Sequence, residues 1–204
     1  MERCKAERRW LKRATTLVAA AEHSIGNTEA PRSARKEIRN LLEDYEGYKK
    51  RMDELMEEIE KTLSEIPYID KLMEITGIGI KTVSCFIAEV GDIGRFDNPK
   101  QVQKLAGYAI VADSSGKHNG ESRISHRGRK RLRYTLYEAA ISVIGKNKEF
   151  KEIHSYYRTR EKNPLKKMQS VIAVACKLIR IFYMILTKGA DYDGRKMLND
   201  IVRP

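Results

Sequence analysis

Cysteine is scarce in this chain of 204 residues: Cys4, Cys85 and Cys176 lie far apart and form no CxxC pair. That excludes a disulfide framework, and a reduced compartment is the simplest reading. The four histidines are equally scattered. His118 and His126 flank one basic loop without a cysteine pair beside them, so no metal site is expected. The N-terminus, MERCKAERRWLKR, lacks an apolar core segment, so no signal peptide is expected and the chain is placed in the cytoplasm. The most apolar run, residues 168–189, is broken by Lys177 and Arg180. It reads as a buried or amphipathic helix instead of a membrane span. No stretch matches GxxxxGK[ST], which removes a nucleotide P-loop, and no internal repeat is visible.

Negative charge is also in short supply. Forty Lys and Arg face 28 Asp and Glu, for a net charge of +12 and a pI near 9.6. That imbalance calls for a polyanionic partner, with nucleic acid ahead of an anionic membrane surface. Hydrophobic residues reach 41%, enough for a real core.

Strand signals are few and helical periodicity is common. Trp10, Ala14, Leu17, Ala21 and Ile25 share one helix face, and the glycine and proline of residues 26–33 end it. Ile38, Leu41, Tyr45, Tyr48, Met52, Leu55 and Ile59 then form a heptad seam, widened by Leu42 and Met56, which runs until Pro67. Two readings stay open: a helical hairpin with Trp10–Ile25 folded back on the seam, or a coiled coil joining two protomers. The tyrosines and Gly47 weaken a pure zipper.

Beyond Pro67 glycines become frequent, which marks a second, compact helical domain. The expected division is 1–66 for the helical hairpin or coiled coil, 67–191 for the compact domain, and 192–204 for a loosely packed tail. Residues 108–113 form a short extended segment, a long helix starts near Gly128, and helices cover 149–160 and 166–187. The fold class is mainly α.

Two motifs carry chemistry. In residues 68–90, apolar stripes (Ile69, Leu72, Ile75 and then Ile80, Val83, Ile87, Val90) flank TGIG, the sequence form of a helix-hairpin-helix. Gly77 and Gly79 can take positive φ and let the backbone approach a ligand. The free N–H groups of the following helix favour a phosphate, and Lys81 can add a charge contact. The plain alternative is a turn between two helices that needs glycine only to pack.

The second motif is the serine loop, 114–128, which runs into a cluster of Lys117, Arg123, Arg127, Arg129, Lys130, Arg131 and Arg133, opposed only by Glu121. Arginine forks match phosphate oxygens; the plain alternative, a solvated charged loop, is weaker because the charges cluster and are nearly all of one sign. Ser114 and Ser115 precede Gly116 beside this cluster. A serine next to glycine is by composition an ordinary loop residue. A strongly electropositive site could instead activate it.

The order ITGIG, AEVGDIGRF, LAGYAIVADSSGK and GESRISHRGRKRLRYTLYEAA closely resembles the C-terminal domain of the IS110 family of insertion-sequence transposases, relatives of the Piv DNA invertases. The resemblance covers roughly residues 66–191. It implies a DNA recombinase whose serine joins covalently to DNA, and the family position is Ser115, with Ser114 its neighbour. Lys117, Arg123 and Arg127 would position the phosphate. An N-terminal acidic domain would supply a divalent metal such as magnesium, none being expected in this chain. DNA is the implied partner, and some members are guided by a noncoding bridge RNA. Protomers associate, and no membrane is involved. Two positions depart from the pattern: Ile110 stands where many members have proline, and His126 where many have lysine. Met1 leaves no room for the acidic domain, so the expectation is a chain that binds nucleic acid but does not complete strand transfer alone. The rival reading is a non-catalytic nucleic-acid-binding module derived from a transposase, with a membrane-docking basic protein as a third.

Overall fold

The computed structural model describes residues 2–24, 31–111, 114–115, 118–119 and 123–199, with side chains over 10–24, 31–111 and 124–199. The fold is mainly α. Helices are α1 (Glu2–Glu22), α2 (Pro31–Ser64), α3 (Ile69–Met73), α4 (Ile80–Val90), α5 (Pro99–Leu105), α6 (Lys130–Lys146), α7 (Lys148–Thr159), α8 (Lys167–Lys188) and α9 (Gly194–Asn199). Two short antiparallel pairs lie between α5 and α6. They join β1 (Ile110–Val111) to β4 (Arg123–Ile124), and β2 (Ser114–Ser115) to β3 (His118–Asn119).

The chain divides into two compact units, Met1–Leu55 and Met56–Pro204. The boundary falls inside α2, earlier than the expected 66. The reason is that the last turns of α2 carry core residues of the second unit: Leu63 is buried, and Ile59 and Ile66 pack against that core.

In the first unit every described side chain is exposed. Trp10 and Leu17 on α1, and Ile38, Leu41, Tyr45, Tyr48, Met52 and Leu55 on α2, all stand in solvent. The helical hairpin is therefore not closed by packing of Trp10 and Leu17 on the seam; Ile25 lies outside the described residues. The heptad stripe exists as a helix face, but no apolar surface of its own unit covers it.

The second unit is built around α6 and α8. On α8, Val171, Val174, Ala175, Leu178, Ile179, Phe182 and Ile185 recur every three or four residues and are all buried. Leu132, Leu136, Ala139, Ala140 and Val143 do the same on α6. Phe182 meets Phe86 of α4 edge-to-face, with centroids 5.0 Å apart. Such a pair adds about 0.5–1.5 kcal/mol beyond its buried area. α8 is long and apolar enough to cross a membrane. Its apolar face is nevertheless packed into the unit's own core.

Local chemistry sets the helix ends. Asn98 accepts from the Lys100 amide at the start of α5, where Pro99 occupies the first turn. Buried Asn147 both ends α6 and caps α7, accepting from the Phe150 amide at 3.2 Å. The segment after Gly189 is not loosely packed throughout. Tyr192 stacks on Phe150, Met197 of α9 is buried, and Lys71 donates to Gly189 O and Asp191 Oδ1, each at 2.6 Å.

α7 and α8 are tied through a buried serine. The Ser170 hydroxyl lies 2.7 Å from His154 Nδ1 and 3.2 Å from the His154 carbonyl oxygen. Burial, then the charges of Arg158 and Lys167, hold the imidazole below its ordinary value of 6.5. Below that pH the unfolded chain therefore takes up a proton that the folded chain refuses. The stabilisation is complete above about pH 6.5 and is lost as pH falls toward the lower folded value. Thermal melts between about pH 8 and pH 5 should show a midpoint that falls on the acid side, and His154→Gln should flatten that fall. Parallel pH profiles for the two proteins would mean that His154 does not carry the linkage.

Candidate nucleic-acid interface and serine hairpin

The serine pair sits on a hairpin whose base is a crossing of two backbone segments. Residues 105–109 leave α5 and run against residues 125–129, which lead into α6. Three amides close the crossing: Ser125 N donates to Ala109 O (2.8 Å), His126 N to Gly107 O (3.2 Å) and Arg129 N to Leu105 O (2.7 Å). Glycine is required on both sides. A Cβ at Gly128 would stand 2.3 Å from Leu105 O, and one at Gly107 would stand 3.2 Å from Arg127 O. Both have positive φ, +150° and +76°. His126, the departure from the family pattern, also adopts positive φ, at 53°.

Above the crossing, Ile110 pairs with Ile124 and Val111 with Arg123. Further out, Ser114 pairs with Asn119 and Ser115 with His118. The backbone thus sets Ser115 directly across from His118, a neighbour that the sequence did not single out because a loop was read there instead of paired strands. Lys117 lies outside the described residues, and the side chains of Ser114, Ser115 and Arg123 are not described.

The arginine cluster divides. Arg129 donates through Nη1 to Glu89 O at 2.5 Å and approaches Glu89 Oε2 at 3.7 Å, joining the start of α6 to the end of α4. Arg133 donates through Nη1 to His126 O at 3.1 Å and Ala106 O at 3.4 Å. Its own carbonyl accepts from Tyr108 Oη at 2.8 Å. Burial pushes the Tyr108 hydroxyl well above its ordinary range, so this tyrosine stays a neutral donor. Arg133 therefore clamps the crossing, and Arg129 ties the start of α6 to the end of α4. Arg127, Lys130 and Arg131 are exposed.

The glycine turn before α4 is built differently from the expectation. Gly77 does take positive φ (102°), but a Cβ there would stand 3.0 Å from Val143 Cα, and Ser142 Oγ donates to Gly77 O at 2.7 Å. The close approach is to α6, not to a ligand. Gly79 is extended (φ −129°) with open space around it, and no side chain caps α4. Lys81 is exposed in the first turn. Because α4 starts beside Ser142 and ends beside Arg129, the turn and the basic cluster lie at opposite ends of an 11-residue helix. At 1.5 Å per residue that is about 16 Å, or about five phosphate steps along one DNA strand.

Among the described residues no group of three or more His, Cys, Asp or Glu could hold a metal ion. The divalent metal that the resemblance implies has no donor set there.

Residues 69–157 match the family model described as Transposase IS116/IS110/IS902 family. Within this compact unit, residues 69–157 resemble an IS110-family transposase domain. The chain is similar to the pilin gene-inverting protein of Moraxella bovis, 30% identical over 126 residues, covering 61% of this chain and 38% of that protein. It is 29% identical over 136 residues to the putative transposase y4rJ of Sinorhizobium fredii, covering 65% and 34%. A third relative, the insertion element IS116 uncharacterized 44.8 kDa protein of Streptomyces clavuligerus, is 22% identical over 183 residues, covering 88% and 45%. The matched part of the chain thus corresponds to less than half the length of each of these relatives.

The family motifs LAG and RG are the two sides of the backbone crossing. Gly128→Ala should cost at least about 1–3 kcal/mol from backbone strain alone, read by urea unfolding. Gly79→Ala, where a Cβ meets nothing within 4 Å, should leave stability within about 0.5 kcal/mol of wild type. A Gly128→Ala protein as stable as wild type would show that the crossing is not tight.

Proposed function

We propose that this chain is the DNA-joining part of an IS110-type transposase, acting on DNA in the cytoplasm through Ser115. The observation that carries the reading is the family domain itself, with its serine on a hairpin anchored beside three exposed cations, Arg127, Lys130 and Arg131. The reaction is a transesterification. Ser115 Oγ loses its proton and forms a bond to phosphorus as the bond to a deoxyribose oxygen breaks; that oxygen leaves and is protonated. One phosphodiester replaces another, so the exchange needs no external energy source. Arg127, together with Lys117 and Arg123 from the hairpin, supplies positive charge for the phosphoryl oxygens as negative charge grows on them. Lys130 and Arg131 hold neighbouring phosphates. Gly79 and Lys81, at the far end of α4, grip the backbone further along. A bridge RNA is a second polyanion that the same cations would accept.

The test is a DNA substrate whose leaving oxygen is replaced by sulfur, which traps the covalent adduct. Wild type and Ser114→Ala should give a protein–DNA adduct on a denaturing gel, and Ser115→Ala should give none while binding DNA as tightly as wild type. An adduct formed by Ser115→Ala would remove Ser115 as the nucleophile. The alternative reading is a non-catalytic nucleic-acid-binding module. Salt-dependent DNA binding with no adduct from any variant would select it. Arg127→Ala should lower the slope of log affinity against log salt by about 1.

The exposed seam of α2 supports a second copy of the chain as partner. Sedimentation should give a dimer for wild type and a monomer for a Leu41→Glu, Tyr48→Glu double variant. A wild-type monomer at micromolar concentration would exclude this route to assembly.

A further inference from the structure

The first turns of α6 carry an aromatic side chain that neither the core nor the clamp uses. Leu132, Leu136, Ala139, Ala140 and Val143 face the core, which leaves Lys130, Arg131, Tyr134, Glu138 and Ile141 on the solvent side. Tyr134 is 64% exposed. It lies four residues after Lys130 and three after Arg131, so all three share one face of the helix. No cation stacks on its ring among the described residues, in contrast to Tyr157, which Arg160 covers at 5.8 Å.

The surface continues beyond Tyr134. Tyr137, one turn on, reaches Met168 Sδ with its hydroxyl at 3.7 Å. Met168 is itself 55% exposed in the first turn of α8, directly after Lys166 and Lys167. Tyr134 and Ile141 are exposed on α6 and Met168 on α8, with Lys130 and Arg131 in the first turn of α6 and Lys166 and Lys167 at the start of α8. Glu138 lies on the solvent face of α6 and opposes them.

We infer that Tyr134 is a stacking platform for an unpaired nucleic-acid base, with Lys130 and Arg131 holding the phosphates that flank it. The inference rests on the nucleic-acid reading above and adds the structural class of the substrate. A duplex keeps its base faces inside its own stack and offers the helix surface only phosphates and base edges. Cations alone would serve that purpose. An open aromatic ring beside cations matches a strand whose bases are splayed, because every base has a π face and stacking is worth about 1–3 kcal/mol per base. Strand exchange requires unpaired intermediates, so such a platform fits the proposed chemistry.

The experiment compares a fluorescently labelled single-stranded oligonucleotide with its duplex of equal length, by anisotropy, across a salt series. Tyr134→Ala should weaken single-strand binding about 10-fold or more, leave duplex binding unchanged, and leave the single-strand salt slope unchanged. Tyr134→Phe should keep wild-type affinity, since the ring and not the hydroxyl carries the contact. A 2-aminopurine in the strand should be quenched by wild type and less so by Tyr134→Ala. Equal losses on both substrates, no loss on either, or full rescue by Tyr134→Leu would overturn the platform. If wild type binds neither substrate, the nucleic-acid reading falls and this inference with it. If wild type binds both with a steep salt slope and Tyr134→Ala changes nothing, only the platform falls. Tyr134 is exposed, so thermal melts of the variants should match wild type.

Discussion

Two backbone segments cross where residues 105–109 meet 125–129, and the proposed site depends on how close they come. At Gly128 a side chain would collide with main-chain atoms of the opposite segment, and at Gly107 it would collide with the Arg133 guanidinium and crowd the Arg127 carbonyl. The amides made available by that approach close the base of the hairpin and set where α6 begins. A hairpin of two-residue strand pairs is marginal by itself in water. This one is anchored because its base belongs to the helical core: Tyr108 is buried on one side and Leu132 starts the buried face of α6 on the other. The serine pair thus lies on a hairpin whose base is tied into the helical core.

The same crossing divides the arginines. Carbonyl oxygens that turn inward at a tight backbone approach need donors, and Arg133 supplies them to Ala106 and His126. Arg129 does the same for Glu89 O and also faces its carboxylate. The ion pair is half exposed and is worth no more than about 1 kcal/mol. The hydrogen bonds satisfy backbone groups at the end of α4 and define the geometry there. Positive charge that reads as one block in the sequence is two sets in space, one clamping the fold and one facing solvent.

Position along α4 separates the glycine turn from the basic cluster. Gly77 needs its missing side chain for packing on α6, so the turn is a structural joint before it is anything else. The open N-terminus of α4, with Gly79 and Lys81, remains free to meet a phosphate, but one several steps away from the strand near Arg127.

Much of the fold was legible in the residues themselves. The three- and four-residue spacing of Val171, Val174, Leu178, Phe182 and Ile185 demands a helix with one buried face, and Lys177 and Arg180 on its other side already argued against a membrane span. The motif order around LAG and SHRG pointed to the transposase family model that residues 69–157 match. Periodicity also showed that α2 has an apolar face. It could not show whether anything covers that face, since coverage depends on which other surface is near. Nor could it tell Arg129 and Arg133 from Arg127 and Arg131, or Gly77 from Gly79. Residues identical in type were separated only when the chain folded, because a donor's role is set by the carbonyl in front of it and a glycine's role by the atom that a side chain would strike. Composition and spacing determined that this is a basic, mainly helical chain. Tertiary structure decided which of its charges hold the protein together and which are left for a partner.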